Sequence, residues 1–450
     1  MVWSRAELIE ATGGRAVSAL PEKFTGVSID TRTLKPGNLF VALPGDPGPR
    51  FKTASRSDRD GHDHIAAAMH AGASAALVHR DVPIGNELAL LRVDDTLDAL
   101  WAMGKFRRQQ LAARVVAVTG SSGKTTTKSF LAAALAAYAE AGSLNNHLGV
   151  PLSLARTPRE TKDAVYEIGT SNPGEIGPLS RLAAPDVAIV LNVQSAHIGN
   201  FEDWDALRRE KFSIAEGLRP GGTLVYEQGL DPGVQRGKSR LTFGEGEGAD
   251  VQLVGMDGGR AIYRIRGELH SARIPGGGAH RARSLAAVVA TLLALERPLA
   301  GAFELPDALI PGGRGEVSVI GGIMLLDDSY NANPDSMRAA LVQLISTPSE
   351  RRLAVLGEML ELGATSTERH RALADVVRHL DGFWAVGEGM RALSDLPNCF
   401  GWWAEANEAL RDSVGNSLQT GDAVLIKGSN RVFWVKNFAK HLASKLDSAT

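Results

Sequence analysis

The chain has 450 residues, 44% hydrophobic and 22% charged, a soluble globular balance in a length that calls for two or three domains. Lys and Arg number 49 against 51 Asp and Glu, and a formal charge of -2 gives no support to a polybasic nucleic-acid or membrane-surface role. One cysteine, Cys399, excludes an internal disulfide framework and a cysteine-based zinc cluster. With charges early in "MVWSRAELIEATGG" and no run of membrane-spanning length, the expectation is a cytoplasmic protein without membrane insertion.

In chain order, the first hundred residues mix short strands ("LFVAL", "AALVH", "LALLRV") with helical pieces such as "HIAAAMHAG". Between them, Pro44–Asp63 is rich in Pro, Gly and charge and reads as a long loop. From "RVVAVTG" onward, buried strands alternate with helices. The strands include Ala164–Gly169 and Val187–Val193, and the helices Lys124–Glu140 and Trp204–Leu218. A strand-rich stretch to about Pro275 precedes a helix through "RSLAAVVATLLAL". From Pro311 the rhythm repeats, with "IMLLDD", "RRLAVLG", "GFWAVG" and "DAVLIKG" each expected to lead into a helix. Such alternation argues for an α/β protein with open, mostly parallel sheets covered on both faces.

"TGSSGKTT", Thr119–Thr126, follows a buried strand and opens a helix, the context of a phosphate loop. Gly120, Ser121, Ser122 and Gly123 let backbone N–H groups approach an anion. Lys124 can reach the β- and γ-phosphates of ATP, and the Thr125 and Thr126 hydroxyls follow, Thr125 suited to Mg2+. The pattern is incomplete, because Val118 stands where the usual motif has its first glycine. Glu167 ends the strand "AVYEIG", where it either carries a metal or is an ordinary strand-end glutamate. His197 follows the next apolar strand. Lys211 in "LRREKFSIAEGL" reads locally as a solvated charge on a helix face. In the last block, "LLDDSYNANPDSM" gathers Asp328, Asn331 and Asn333 beyond a strand, more polar groups than caps alone require. Arg314 in "PGGRGEV" is either a surface-loop arginine or a group that meets charge on a transferred phosphoryl.

These fragments together resemble the Mur ligases, ATP-dependent amide-forming enzymes of peptidoglycan precursor synthesis. The resemblance runs collinearly from about Ile9 to Leu442. It is carried by "GVSIDTRTLKPGNLFVAL", "VTGSSGKTTTK", "LNNHLGVPLSL", "NPGEIGPLSRLAAPDVAIVLNVQSAHIGNF", "LGEMLELG", "LIKGS" and above all "DDSYNANPDSM". Within the family it points to the member that joins D-alanyl-D-alanine to UDP-N-acetylmuramoyl-tripeptide. It implies three domains: 1–100 for the UDP-sugar, 101–311 as the P-loop ATPase with a doubly wound sheet, and 312–450 as a Rossmann-like closing domain. Ser28, Asp30, Thr31 and Arg32 match a substrate-binding motif, and Asn145, Asn146 and Asn333 match substrate-side positions. Thr125, Glu167, His197 and a carbamylated Lys211 would organise two Mg2+ ions. Lys124, His197, Lys211, Arg314 and Asp328 would be catalytic, with His280 and Asn331 beside the nucleotide. A monomer is expected.

The departures also bear on function. After His280 the family reads Asn, two residues, then Asn; this chain has Arg281 and Ser284. His147 stands where an acidic residue is usual, and "EIGTSN" replaces Met-Gly-Ala-Asn. They keep open a related ligase with a different amine or carboxylate, and a non-catalytic relative that binds precursors.

Overall fold

A computed structural model describes residues 3–46, 59–83, 87–196, 198–233 and 238–448. Its βα alternation folds into three main sheets, each a separate layer covered by helices. The first has five strands, in the order Arg15–Ala16, Ala89–Arg92, Ala75–Val78, Asn38–Val41 and Gly26–Ser28. All neighbours are parallel except the first pair. Of the stretch read as a loop, residues 47–58 lie outside the described residues. Its end is ordered, with Asp60 capping a single turn at Gly61–His64.

The helix Thr96–Gln110 starts under an Asp95 cap whose carboxylate accepts from the N–H groups of Leu97 and Asp98. Its Leu100 and Met103 belong to the same core as Val27, Leu39 and Leu77 of the first sheet, so this core reaches past residue 100.

The central sheet has eight strands. Six are parallel, in the order Asp163–Glu167, Arg114–Thr119, Val187–Val190, Thr223–Glu227, Ser239–Gly244 and Val251–Asp257. Arg260–Ile265 and Glu268–Arg273 extend it as an antiparallel meander. Val116 and Val118 face one apolar core and Val115 and Ala117 the other, as a doubly covered sheet requires. From Arg114–Thr119 the chain crosses to one neighbour and then returns to the other. The loop after Thr119 therefore lies at a topological switch point, where doubly wound sheets open a crevice.

Two helices are shorter than expected. The first runs only over Lys124–Leu135, because Ala136 turns left-handed (φ 49). Tyr138 then pairs beside the edge strand, donating to the Asp163 carbonyl at 2.8 Å and accepting from Val165 N–H at 2.9 Å. The second is Trp204–Phe212, followed by a tighter turn at Ser213–Gly217. Close approach to the helix Ile176–Ala183 shapes that turn: a Cβ on Gly217 would stand 2.1 Å from the Ser180 carbonyl oxygen.

The last sheet has the order Glu316–Ile320, Ile323–Asp328, Ala423–Lys427, Arg352–Gly357, Gly382–Val386 and Cys399–Trp403. Only the first pair is antiparallel. The strand Ala423–Lys427 inserts between Ile323–Asp328 and Arg352–Gly357, which opens a second switch-point crevice beside Asp328. "GFWAVG" leads into a single turn, Gly389–Leu393, rather than a full helix. Among the described residues no helix is long and apolar enough to cross a membrane.

Gly217→Ala should destabilise the central unit by roughly 1–3 kcal/mol through overpacking against Ser180. Urea unfolding checks this, and an unchanged midpoint would contradict the contact.

Candidate active site

The phosphate-loop residues come together at the carboxyl edge of the central sheet. Gly123 is left-handed (φ 78) and starts the helix that carries Lys124 and Thr125. The Lys124 Nζ donates to the Gly120 carbonyl at 2.8 Å, bracing the loop across its own turn. Asn192, just past Val187–Val190, accepts from the Ser121 and Ser122 N–H groups at 2.9 and 3.0 Å. The Ser122 hydroxyl donates to Gln194 Oε1 at 2.7 Å. No local motif singles out Asn192 and Gln194; their position at a strand's carboxyl end is the signal that finds them.

Glu167 is 3% exposed and ties three segments together. One oxygen accepts from the Thr125 hydroxyl at 2.7 Å, the other from the Ser143 hydroxyl at 2.8 Å and Asn145 Nδ2 at 2.7 Å. Burial opposes ionisation of this carboxyl. Lys124, Lys128, the Thr125 hydrogen bond and Arg314 outweigh that penalty and hold it below the usual carboxylate range. Lys128, also not foreseen, donates to the Glu140 and Gly142 carbonyls at 2.7 and 2.5 Å, fixing the segment that leads to Ser143 and Asn145.

Lys211 is 1% exposed, which corrects the local expectation of a solvated helix face. The helix Trp204–Phe212 is pinned there by its neighbour Glu210, which accepts from the N–H groups of Gly174 and Ile176 at 2.7 Å each. Burial, then repulsion from Lys124, lowers the Lys211 amine to about 7. The uncharged amine is then accessible near neutral pH, in a place where an ammonium would cost heavily.

The last sheet contributes from the opposite side. Arg314 is half-buried, its guanidinium 4.0 Å above the Tyr330 ring, and its charge acts on Lys124, Lys128 and Glu167. Asp328 pairs with Lys427 at 2.6 Å, and the same Nζ donates to the Asn331 carbonyl at 3.1 Å. Lys427 is the lysine of "LIKGS", at a strand's carboxyl end, a position where open α/β sheets place functional groups. The Ser195 hydroxyl donates to Asp335 at 2.8 Å across the two units.

Other residues from the sequence reading have different surroundings. The Asn333 side chain caps the helix Pro334–Ile345, accepting from Ser336 N–H at 2.8 Å. The Asn146 side chain accepts from Leu148 and Gly149 N–H groups, capping Gly149–Arg156. His280 is exposed on the first turn of Ala279–Ala294, and Asn331 is exposed as well. Ser28, Asp30, Thr31 and Arg32 form their own turn on the first sheet. There the buried Ser28 hydroxyl donates to the Asp30 carbonyl at 2.9 Å, and Asp30 pairs with exposed Arg32 at 2.6 Å. His197 lies outside the described residues. Among those residues, no three His, Cys, Asp or Glu side chains converge as a metal cluster.

Two family models match the chain: Mur ligase middle domain over residues 118–292, and Mur ligase, glutamate ligase domain over residues 313–430. The UDP-N-acetylmuramoyl-tripeptide–D-alanyl-D-alanine ligase of Bacillus subtilis is 36% identical over 364 residues, 78% of this chain and 77% of that protein. The crystal structure of MurF from Acinetobacter baumannii superposes with a TM-score of 0.80 at 31% identity, covering 98% of this chain and 99% of the other. MurF ligase from Thermotoga maritima in complex with ADP superposes at 0.78 and 26% identity, covering 94% and 98%.

Proposed function

The chain belongs to the Mur ligase family, and we propose that it is the ATP-dependent member that joins D-alanyl-D-alanine to UDP-N-acetylmuramoyl-tripeptide in peptidoglycan precursor synthesis. The observation that carries this reading is that the central and last units meet edge to edge, the Ser195 hydroxyl donating to Asp335 and Arg281 donating to the carbonyls of Arg314 and Gly315, which brings Arg314 to the side of Lys124 and Glu167. One cleft then holds a triphosphate and an acid to be activated, between domains read as 101–311 and 312–450. The UDP-sugar would be held by domain 1–100 around Ser28, Asp30, Thr31 and Arg32.

A carboxylate is a poor acyl donor because oxide is a bad leaving group. In this reading a peptide carboxylate oxygen attacks the γ-phosphorus of ATP, the bond to the β-phosphate oxygen breaks, and ADP leaves. The dipeptide amine attacks the carbonyl carbon of the acyl phosphate. The tetrahedral intermediate expels phosphate, and the nitrogen loses its proton. Lys124 and Arg314 offset the charge on the transferred group, and the amides of the phosphate loop orient it. Asp328, held by Lys427, stands at the far wall, and closure of the last domain excludes water from the acyl phosphate.

The donor set suits Mg2+. The Thr125 hydroxyl and Glu167 carboxylate are hard oxygen ligands set side by side, and Mg2+ is commonly held by one or two carboxylates together with substrate phosphates. Bound there, the ion would screen phosphate charge. His197 and Lys211 are the further candidates to hold it. Lys211 qualifies as a carbamate: its neutral amine adds CO2, releases a proton and becomes an anion.

Lys124→Ala should lower ATP- and D-alanyl-D-alanine-dependent phosphate release by about 100-fold or more. Release that depends on all three substrates in the parent protein supports the assignment, and undiminished turnover in the variant overturns it. Because carbamylation needs the neutral amine, a 13C-bicarbonate carbamate signal absent from Lys211→Arg should persist near neutral pH. It should fade as pH falls below about 7. A signal that appears only near the ordinary lysine pKa of about 10.4 would contradict the reading.

A further inference from the structure

From sequence Arg281 is a departure on the adenosine side, but its surroundings indicate other work. It sits in the first turn of Ala279–Ala294, 1% exposed. Its Nη1 donates to the carbonyls of Gly276 and Gly277 at 2.6 and 3.1 Å, in the turn that precedes its own helix. Its Nη2 donates to the carbonyls of Arg314 and Gly315 at 3.0 and 2.9 Å, at the entrance to the last sheet. One planar fork thus bridges the two units that form the cleft.

The backbone is shaped to admit it. Gly315 is left-handed (φ 79), and a Cβ there would stand 2.2 Å from Arg281 Nη2. Gly276 (φ 64) would bring one to 2.8 Å from Nη1. On its other side the same short segment is bonded to the strand end that carries Asp328. Gly315 N–H donates to the Asp327 carbonyl at 2.7 Å, and Tyr330 N–H to the Gly313 carbonyl at 2.8 Å. Arg314 is therefore gripped twice, its backbone by Arg281 and its guanidinium by the Tyr330 ring.

We propose that Arg281 is a positioning residue for phosphoryl transfer, fixing Arg314 against the phosphate loop from the central unit and acting through Arg314 rather than through the nucleotide. The proposal rests on the reading that Arg314 meets the transferred phosphoryl group. A lysine could not replace it, since a single ammonium cannot span both pairs of carbonyls.

The test is a double-mutant cycle of Arg281→Ala with Arg314→Ala, with Arg281→Lys alongside as a second variant if the alanine protein fails to fold. Displacing a charge-stabilising group should lower kcat by about 10- to 100-fold in Arg281→Ala and in Arg281→Lys, with KM for ATP within about threefold of the parent. In the Arg314→Ala background the same changes should cost less than about twofold more. A raised KM for ATP at constant kcat would make Arg281 a nucleotide contact and overturn the proposal, as would a full additional loss without Arg314. Amide exchange over residues 312–316 gives a readout independent of turnover: it should rise in the Arg281 variants, and unchanged exchange would overturn the clasp. If the parent protein shows no ligase turnover at all, the functional reading fails, and the exchange measurement still decides whether Arg281 holds this segment.

Discussion

A buried carboxylate surrounded by cations is the constraint on which the rest of the site depends. Burial pushes the Glu167 carboxyl up, and Lys124, Lys128, the Thr125 hydrogen bond and Arg314 more than offset it, while Ser143 and Asn145 donate to its other oxygen. Those donors come from the phosphate-loop helix and from the segment after it, and Arg314 acts from the last sheet. Removing the carboxylate would leave buried cations without their counter-charge, a more costly outcome than losing a surface pair. The same cluster explains the chemistry. Three cations act on this one carboxylate, and an added anion such as a triphosphate would meet them favourably.

The fold supplies this arrangement by presenting two switch-point crevices to each other. In the central sheet the crevice follows Arg114–Thr119, and in the last sheet it lies beside Ile323–Asp328. Each delivers polar groups at the carboxyl ends of parallel strands, as doubly wound sheets do. Contacts at Ser195–Asp335 and Arg281–Arg314 fix how the two edges meet. Lys211 belongs to the same design. Glu210 anchors its helix to the start of Ile176–Ala183, and burial leaves the amine poorly charged.

Much of this was legible in the sequence because it is local. "VVAVTGSSGKTTTK" announces strand, loop and helix within one window, and the apolar runs before Glu167 and Asp328 put both at strand ends. What escaped depends on distant contacts. The burial of Lys211 requires packing against a helix some thirty residues earlier in the chain, which no periodicity in "LRREKFSIAEGL" reveals. The early end of the Lys124–Leu135 helix follows from Tyr138 pairing with the Asp163–Glu167 strand, a tertiary override of a strong helical pattern. Asn146 and Asn333, matched by resemblance to substrate-side positions, are a local case: their side chains also accept from helix N-terminal amides two or three residues on. Arg281 looked like a lost contact because its four acceptors are backbone carbonyls, which leave no trace in side-chain patterns.

The central claim is that the cleft between Lys124 and Arg314 moves a phosphoryl group onto a carboxylate before the amide bond forms. Oxygen-18 placed in the acceptor carboxylate of the UDP-linked peptide tests it most directly, with the released phosphate analysed by mass spectrometry after turnover with ATP and D-alanyl-D-alanine. The account requires the label to appear in inorganic phosphate in step with amide formation. Amide formed while the phosphate stays unlabelled would contradict it.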